Sequence, residues 1–374
     1  MTVTSVSRAL NDGGGQLQAT GSLTGKIDLR AILNPQKTAV WLWRRVSQLN
    51  PDGSIYWSQE APIWGGIVWK IEQDITAETA TISAEGFLSY LSRVRLLSDQ
   101  TFTNVDQLDI ARALLDYAQG RANSLLSYGW MNSAHTVADT GGSDLGIQYD
   151  QEESGRLRVR APADGYQASQ TPVIMDLLSN LAGVIDGFQW YEDIQWAGPG
   201  VMPTPFVEFG YPQFSRALPV RLEFPGNIVS YTAPVDGSAA VNRYIAIGAT
   251  NDTTSQTLIA IRNNITAQTT AGYPILMGDS GSNYTDVTNA STLDAHAAED
   301  LATVAGNSIV YQVITRGDVF GRFGVGDTMS CHFESVWDRV PVDVQLQCIQ
   351  WTLQTAATTQ DEILTVDMAP VRII

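Results

Sequence analysis

Charge is scarce in this chain: only 16% of its residues are Asp, Glu, Lys or Arg, against roughly 25% in an average globular protein. Cations are the scarcer sign, 22 Lys and Arg against 39 Asp and Glu, for a net charge of −17. Affinity for nucleic acid comes mainly from Lys and Arg displacing phosphate counterions, so specific DNA binding is excluded from the expected functions. Cysteine is nearly missing. Cys331 and Cys348 form neither a disulfide framework nor a metal-ligand spacing, and two buried free thiols are expected. His135, His296 and His332 lie far apart in the sequence, without a second ligand at the spacing a metal needs. Long apolar runs are absent too, none approaching the roughly 18 residues that cross a membrane. The opening MTVTSVSRALNDGGGQ lacks the basic-then-apolar pattern of a signal peptide. A soluble protein folded in a cytoplasm, with no membrane segment, is therefore expected.

What is present is a β-forming composition. Gly, Thr, Ser, Gln and Trp are plentiful, 44% of residues are hydrophobic, and 374 residues exceed what one core usually supports, so two to four domains are expected. Strands joined by tight turns suit this mixture better than long solvated helices. Alternation predicts strands at AVWLWRRV (39–46), GGIVWKIEQDI, RLRVRAP, VRLEF, NIVSYTAPV, NRYIAIGAT, TLIAIRN, SIVYQVITR, DTMSCHF, VDVQLQCIQWTL and EILTVDM. The segment NPDGS (50–54) has turn chemistry. Helical spacing appears in EGFLSYLSRVRL through Phe87, Leu88, Leu91 and Arg95, and most clearly at 104–119, where Val105, Leu108, Ala111 or Arg112, Leu115 and Ala118 share a face before Gly120. Further helices are predicted at 173–185, on Ile174, Leu177, Leu178, Leu181 and Ile185, and at 291–306, with Ser291 or Thr292 as cap and Gly306 as stop.

One pattern occurs twice. Ile67-x-Trp69-x-Ile71 and Ile349-x-Trp351-x-Leu353 are both apolar-x-Trp-x-apolar strands. Each then passes through a polar turn into a second strand, centred on Ile82 after Thr81 and on Val366 after Thr365. Trp69 precedes Ile82 by 13 residues and Trp351 precedes Val366 by 15. A two-residue difference preserves the buried face, because strand side chains alternate. Any two amphipathic hairpins share some of this. The positions, closing the first and the last β-rich regions, favour a duplication. It predicts Trp69, Ile71 and Ile82 as the core of one hairpin, Trp351, Leu353 and Val366 as the core of another, and Trp69 as the equivalent of Trp351.

These residues resemble the central hub proteins of phage tail tips and baseplates, including the amino-terminal hub of tail-associated lysins. The resemblance is carried by the strand-turn-strand at 64–84 running into AEGFLSYLSRVRL and by the helix NVDQLDIARALLDYAQ. It continues through Gly187-Phe188-x-Trp190, the stretch from Asn227 to Asn242, and the turn Gly326-Asp327 before a strand. It spans nearly the whole chain by order and spacing, and no single motif is specific. It implies a mainly β fold with α+β insertions, in which two related antiparallel β-barrel domains are joined by a mixed α/β middle domain. The expected boundaries are 1–98 for the first barrel, 99–215 for the middle domain, and 216–374 for the second barrel with a helix-containing insertion around 255–308. It also implies a homotrimer presenting six barrels as a pseudo-six-fold adaptor in a virion tail tip assembled in the host cytoplasm. The implied partners are the distal tail protein, the tape-measure protein and other tail-tip or fibre proteins, with DNA passing through unbound. The chain ends soon after the second expected barrel, so a hydrolase or fibre is expected on another chain.

Catalytic motifs are present only in fragments. Gly278-Asp279-Ser280-Gly281 and Ser133-Ala134-His135 match pieces of a serine protease, but the rest of the triad's surroundings is missing. Asp139-Thr140-Gly141 matches an aspartic protease loop and reads better as a turn. Glu192 and Asp193 beside Trp190 and Trp196 offer the residue types of a glycosidase. Neighbours on a strand face opposite ways, however, so the two acids do not flank one bond. No catalytic, cofactor or metal residue is expected. A carbohydrate-binding adhesion module, using Trp190 and Trp196 as glycan contacts, is the alternative.

Overall fold

The computed structural model describes residues 2–22, 33–36, 38–45, 47–49, 55–57, 60–122, 148–149, 153–184, 186–214, 216–233, 235–236, 240–251, 255–281, 284–285, 287–304, 308–334, 340–355 and 362–371. The expected turn at 50–54, His135, the Ser133 and Asp139 motifs, and the helix-terminal Ile185 and Gly306 lie outside them.

The chain is mainly β, and it divides into two compact units, residues 1–231 with 312–374, and residues 232–311. In the first unit the dominant element is an eleven-stranded sheet. Its path runs Ile228–Thr232, Tyr311–Arg316, Glu362–Pro370, Val342–Thr355, Thr2–Ala9, Gln16–Ser22, Thr79–Glu85, Ala61–Asp74 and Ala39–Arg44, and Ala217–Phe224 joins through Thr328–Phe333. Two related antiparallel β-barrel domains were expected. Among the described residues the pairing closes none, and both hairpins belong to one continuous sheet. The physical reason is the pair of amino-terminal strands: Thr2–Ala9 bonds to Val342–Thr355 on one side and to Gln16–Ser22 on the other, and Gln16–Ser22 bonds to Thr79–Glu85.

The two hairpins share a plan. Each is built on a strand of 14 residues, Ala61–Asp74 and Val342–Thr355. The first half of each pairs an earlier strand, Ala39–Arg44 or Thr328–Phe333, and its second half pairs the hairpin mate.

The helices and turns around the sheet correct several boundaries. Residues 102–106 are a strand, paired with Leu157–Arg160, and the helix runs Gln107–Ala122. It starts late because the Asp106 carboxylate accepts the Leu108 N–H at 2.8 Å and takes the cap position. The expected helix after residue 86 is a single 3₁₀ stretch, Phe87–Arg93, ended by extended Val94. Ile174–Ala182 is helical and stops at Gly183. Its apolar stripe of Ile174, Leu177, Leu178 and Leu181 packs in one core with Phe87, Leu88, Leu108, Leu115, Trp190 and Phe209. Gln189–Gln195 and Thr204–Gly210 form an antiparallel pair joined by Gln148–Tyr149.

The unit 232–311 carries a three-stranded sheet with Arg243–Thr250 in the centre, Thr257–Asn263 on one side and Met277–Asp279 on the other. The helix Ala290–Val304 packs Leu293 and Ala297 on Ala246. Its cap is Asn289, two residues before the expected Ser291 or three before Thr292: the Asn289 side-chain Oδ1 accepts the Ser291 and Thr292 N–H groups at 2.9 and 3.3 Å.

Candidate assembly site

A transverse row of side chains joins the two hairpins. Val68 pairs with Ala84, Ala84 with Leu17, Leu17 with Val6, Val6 with Leu353, and Leu353 with Leu364. All six are buried. Directly opposed residues on neighbouring strands point to the same face, so this row is one continuous apolar ridge crossing six strands.

The register also locates the repeated tryptophans. In the first hairpin it shifts between Val68 and Lys70, at Trp69, and resumes with Ile71 opposite Ile82. In the second it shifts between Cys348 and Gln350, at Ile349, and resumes with Trp351 opposite Val366. By register, then, Trp351 matches Ile71, and Trp69 matches Ile349. The expected match of Trp69 with Trp351 is displaced by two residues. Trp69 is only partly buried, and its indole N–H donates to Ser89 Oγ at 2.8 Å under the Arg93 guanidinium, whose carbon lies 5.0 Å from the ring centroid. Trp351 is buried, edge-on to Phe320 at 4.8 Å.

Three segments converge on Glu192. Its strand, Gln189–Gln195, points Trp190 and Glu192 inward, and the Glu192 carboxylate accepts the N–H groups of Phe87 at 3.1 Å and Leu88 at 2.7 Å. The amino-terminal loop crosses there: Trp64 Nε1 donates to the Gly14 carbonyl at 3.1 Å, and Gly86 N–H donates to Gly15 O at 3.0 Å. Gly14 has φ +92°, and a Cβ on it would collide with both Glu192 and Gly86. Only glycine fits that crossing. Burial pushes the Glu192 carboxyl up to about 7, against the pull of the Leu88 and Phe87 amides and of Arg8. Asp193, on the opposite face, takes the Arg8 guanidinium as an ion pair.

A second polar junction ties the middle strands to the second hairpin. Buried Gln347 donates to Phe214 O at 2.9 Å and Gly326 O at 3.2 Å, and exchanges side-chain hydrogen bonds of 3.1 Å with Gln189. Arg216 donates to Asp327 at 2.9 Å, Glu208 at 3.0 Å and the Tyr191 hydroxyl at 2.8 Å. A third contact reaches from the strand at one end of the sheet path. Arg44 Nε donates to Glu362 at 3.1 Å and its Nη2 to Gly317 O at 2.8 Å.

One apolar surface is exposed near this core. Trp43, 39% exposed, stands edge-on to Trp196 with centroids 5.3 Å apart. The Trp196 indole N–H donates to Val201 O at 3.1 Å, folding a loop whose tip carries exposed Val201 and Met202.

Compared with solved structures, the chain is similar over 98% of its length to the tail protein from Neisseria meningitidis MC58, covering 91% of that chain with a TM-score of 0.58 at 8% identity. It is similar over 99% of its length to the 43 kDa tail protein of prophage MuSo2 from Shewanella oneidensis, covering 94% of that chain with a TM-score of 0.58 at 11% identity. The fold is that of phage tail proteins. No protein-family model matches the sequence, and no curated protein matches it.

Within this tail-protein fold the tempting motifs take structural places. Ser280 is buried, and its hydroxyl accepts the Ile247 N–H at 2.9 Å, tying the strand Arg243–Thr250 to the turn after Met277–Asp279. His296 stacks on Tyr284 at 4.2 Å, and His332 lies 2.9 Å from Asp343. Trp190 is fully buried, so it has no surface to offer a glycan. Trp196 remains accessible beside Trp43, a partner that sequence spacing did not reveal because 153 residues of chain separate them (196 − 43). Glu192 was also missed as a core residue. The signal available was its alternation with inward-facing Trp190.

Proposed function

We propose that this protein is a structural component of a phage tail, acting as the hub of the tail tip. The observation that carries the reading is a tail-protein fold matched over nearly the whole chain in both directions. In this reading the chain assembles as a homotrimer in the virion, between the tail tube and the tip or fibre proteins, with the distal tail and tape-measure proteins as neighbours. Its work is interface formation rather than catalysis. Exposed Trp43, Val201 and Met202 have the aromatic and aliphatic character of residues that anchor subunit contacts. The net charge of −17 suits a collar that DNA passes without adhering, since like charges repel.

Size-exclusion chromatography with light scattering tests the reading. Three copies per particle are expected. A monomer at high concentration, or a hexamer, counts against the hub. A passage lined by Lys and Arg in an assembled particle would overturn DNA transit, and wall degradation in zymography would overturn the non-enzymatic role.

Glycan adhesion is the second reading, favoured by the accessible Trp43 and Trp196 rings. It predicts host-cell or glycan-array binding that disappears in Trp196→Ala and persists in a variant of buried Trp190 that still folds.

A further inference from the structure

Glu192 is a carboxylate on which the amino-terminal loop, the end of the first hairpin and the middle strand Gln189–Gln195 meet. The two amides it accepts, Phe87 and Leu88, open the 3₁₀ stretch immediately after the hairpin strand Thr79–Glu85. Gly14 and Gly86 touch each other beside it, too close for a Cβ on either. The same loop continues to the rest of the sheet: Leu10 N–H donates to Ile349 O at 2.9 Å, and Asn11 and Trp190 exchange hydrogen bonds, Asn11 N–H to Trp190 O at 2.7 Å and Trp190 N–H to Asn11 Oδ1 at 2.9 Å.

Two charged groups face Glu192. Arg8, from Thr2–Ala9, attracts it, but the Arg8 guanidinium hydrogen-bonds to Asp193 and to Ile63 O. Asp193, on Glu192's own strand, repels it. The 3₁₀ stretch presents backbone amides to it, and the loop presents Gly14. Among the described residues the carboxylate is therefore buried, held by two amides and by no directly bonded cation. Burying a charge under those terms is costly.

We propose that Glu192 is a proton-operated latch: neutral, it closes the junction of loop, first hairpin and middle strand, and ionised, it loosens that junction. The sign follows from linkage. A carboxyl held higher in the folded protein, at about 7, than its ordinary 4.5 stabilises the fold fully below about 4.5. That contribution is lost as the pH rises through 7. The junction is thus tight in mild acid and released toward neutral and alkaline pH.

Hydrogen exchange with mass spectrometry on the full chain, from pH 5 to pH 8 and corrected for intrinsic exchange, tests the latch. Protection at Phe87–Leu91 should fall by about tenfold or more relative to Tyr244–Ala249, one pKa unit being worth tenfold. Glu192→Gln should flatten that dependence, whereas Asp193→Asn should keep it. An equal pH dependence in Glu192→Gln, or none in the wild type, overturns the proposal. Should Glu192→Gln fail to fold, carbon-detected NMR titration of the wild-type carboxyl decides: a midpoint near 7 supports the latch, and one at or below 4.5 overturns it.

Discussion

Ile71 and Trp351 hold the same register position in the two hairpins, each two residues beyond a shift in strand pairing and each opposite an aliphatic partner, Ile82 or Val366. The larger side chain of the matched pair is the more buried: Trp351 is 4% exposed, while Ile71 is only partly buried, as is Trp69 over the 3₁₀ stretch. Trp351→Ala should therefore destabilise the fold by roughly 3–5 kcal/mol, as deletion of a buried aromatic does. Trp69→Ala should cost clearly less, about 1–2 kcal/mol, mostly from lost contact with Ser89 and Arg93. Urea unfolding of both variants checks the order, and an equal loss would contradict the register.

Val6 lies between Leu17 and Leu353 in the apolar row, so it is the link through which one hairpin feels the other. Val6→Asp, which places a charge on a buried ridge, should unfold both hairpins together. Hydrogen exchange should then rise in Ala61–Glu85 and in Val342–Pro370 alike. Loss confined to one hairpin would mean that they are energetically separate.

Gln347 satisfies two backbone carbonyls as well as Gln189. Replacing it with Leu keeps much of the volume and leaves those groups without their donor. A loss of about 2–3 kcal/mol in chemical denaturation is expected, and restoration by the double variant Gln189→Leu/Gln347→Leu is not, because the Phe214 and Gly326 carbonyls stay unsatisfied.

Burial pushes the Cys331 thiol up to about 12 and the Cys348 thiol higher still. Both should resist alkylation by iodoacetamide at pH 8 in the native protein and react on unfolding. Since the thiols' folded values exceed their unfolded ones, near 9, their stabilising contribution is complete below pH 9. It is lost as the pH climbs through 12. Native-state labelling followed by mass spectrometry reads the first point, and alkaline unfolding the second.

Much of the architecture was legible in the residues. Alternation located the strands of both hairpins because each buries one face, and a half-buried strand writes its period into its side chains. The helix Ile174–Ala182 was equally visible, with four buried residues on one stripe. Element ends were less legible. Asp106 and Asn289 displaced two helix starts through side-chain caps, and such caps compete closely with neighbouring polar residues. Trp190 and Trp196 looked alike as aromatic candidates, yet one is core and the other surface. Aromatic identity carries no information about which layer of the fold lies above it.

By itself, the sequence determined a β-rich chain with few cations, two inert cysteines and a repeated Trp hairpin, because composition and two-residue periodicity are local properties. The tertiary structure decided how the repeat is used. Only strand pairing at long range could put Thr2–Ala9 between the hairpins, join them into one sheet, and set Trp351 against Ile71's place rather than Trp69's. Only the crossing of Gly14, Gly86 and Glu192 could bury a carboxylate beside two backbone amides. Desolvation depends on what surrounds a group in space, and neighbours in sequence do not specify it.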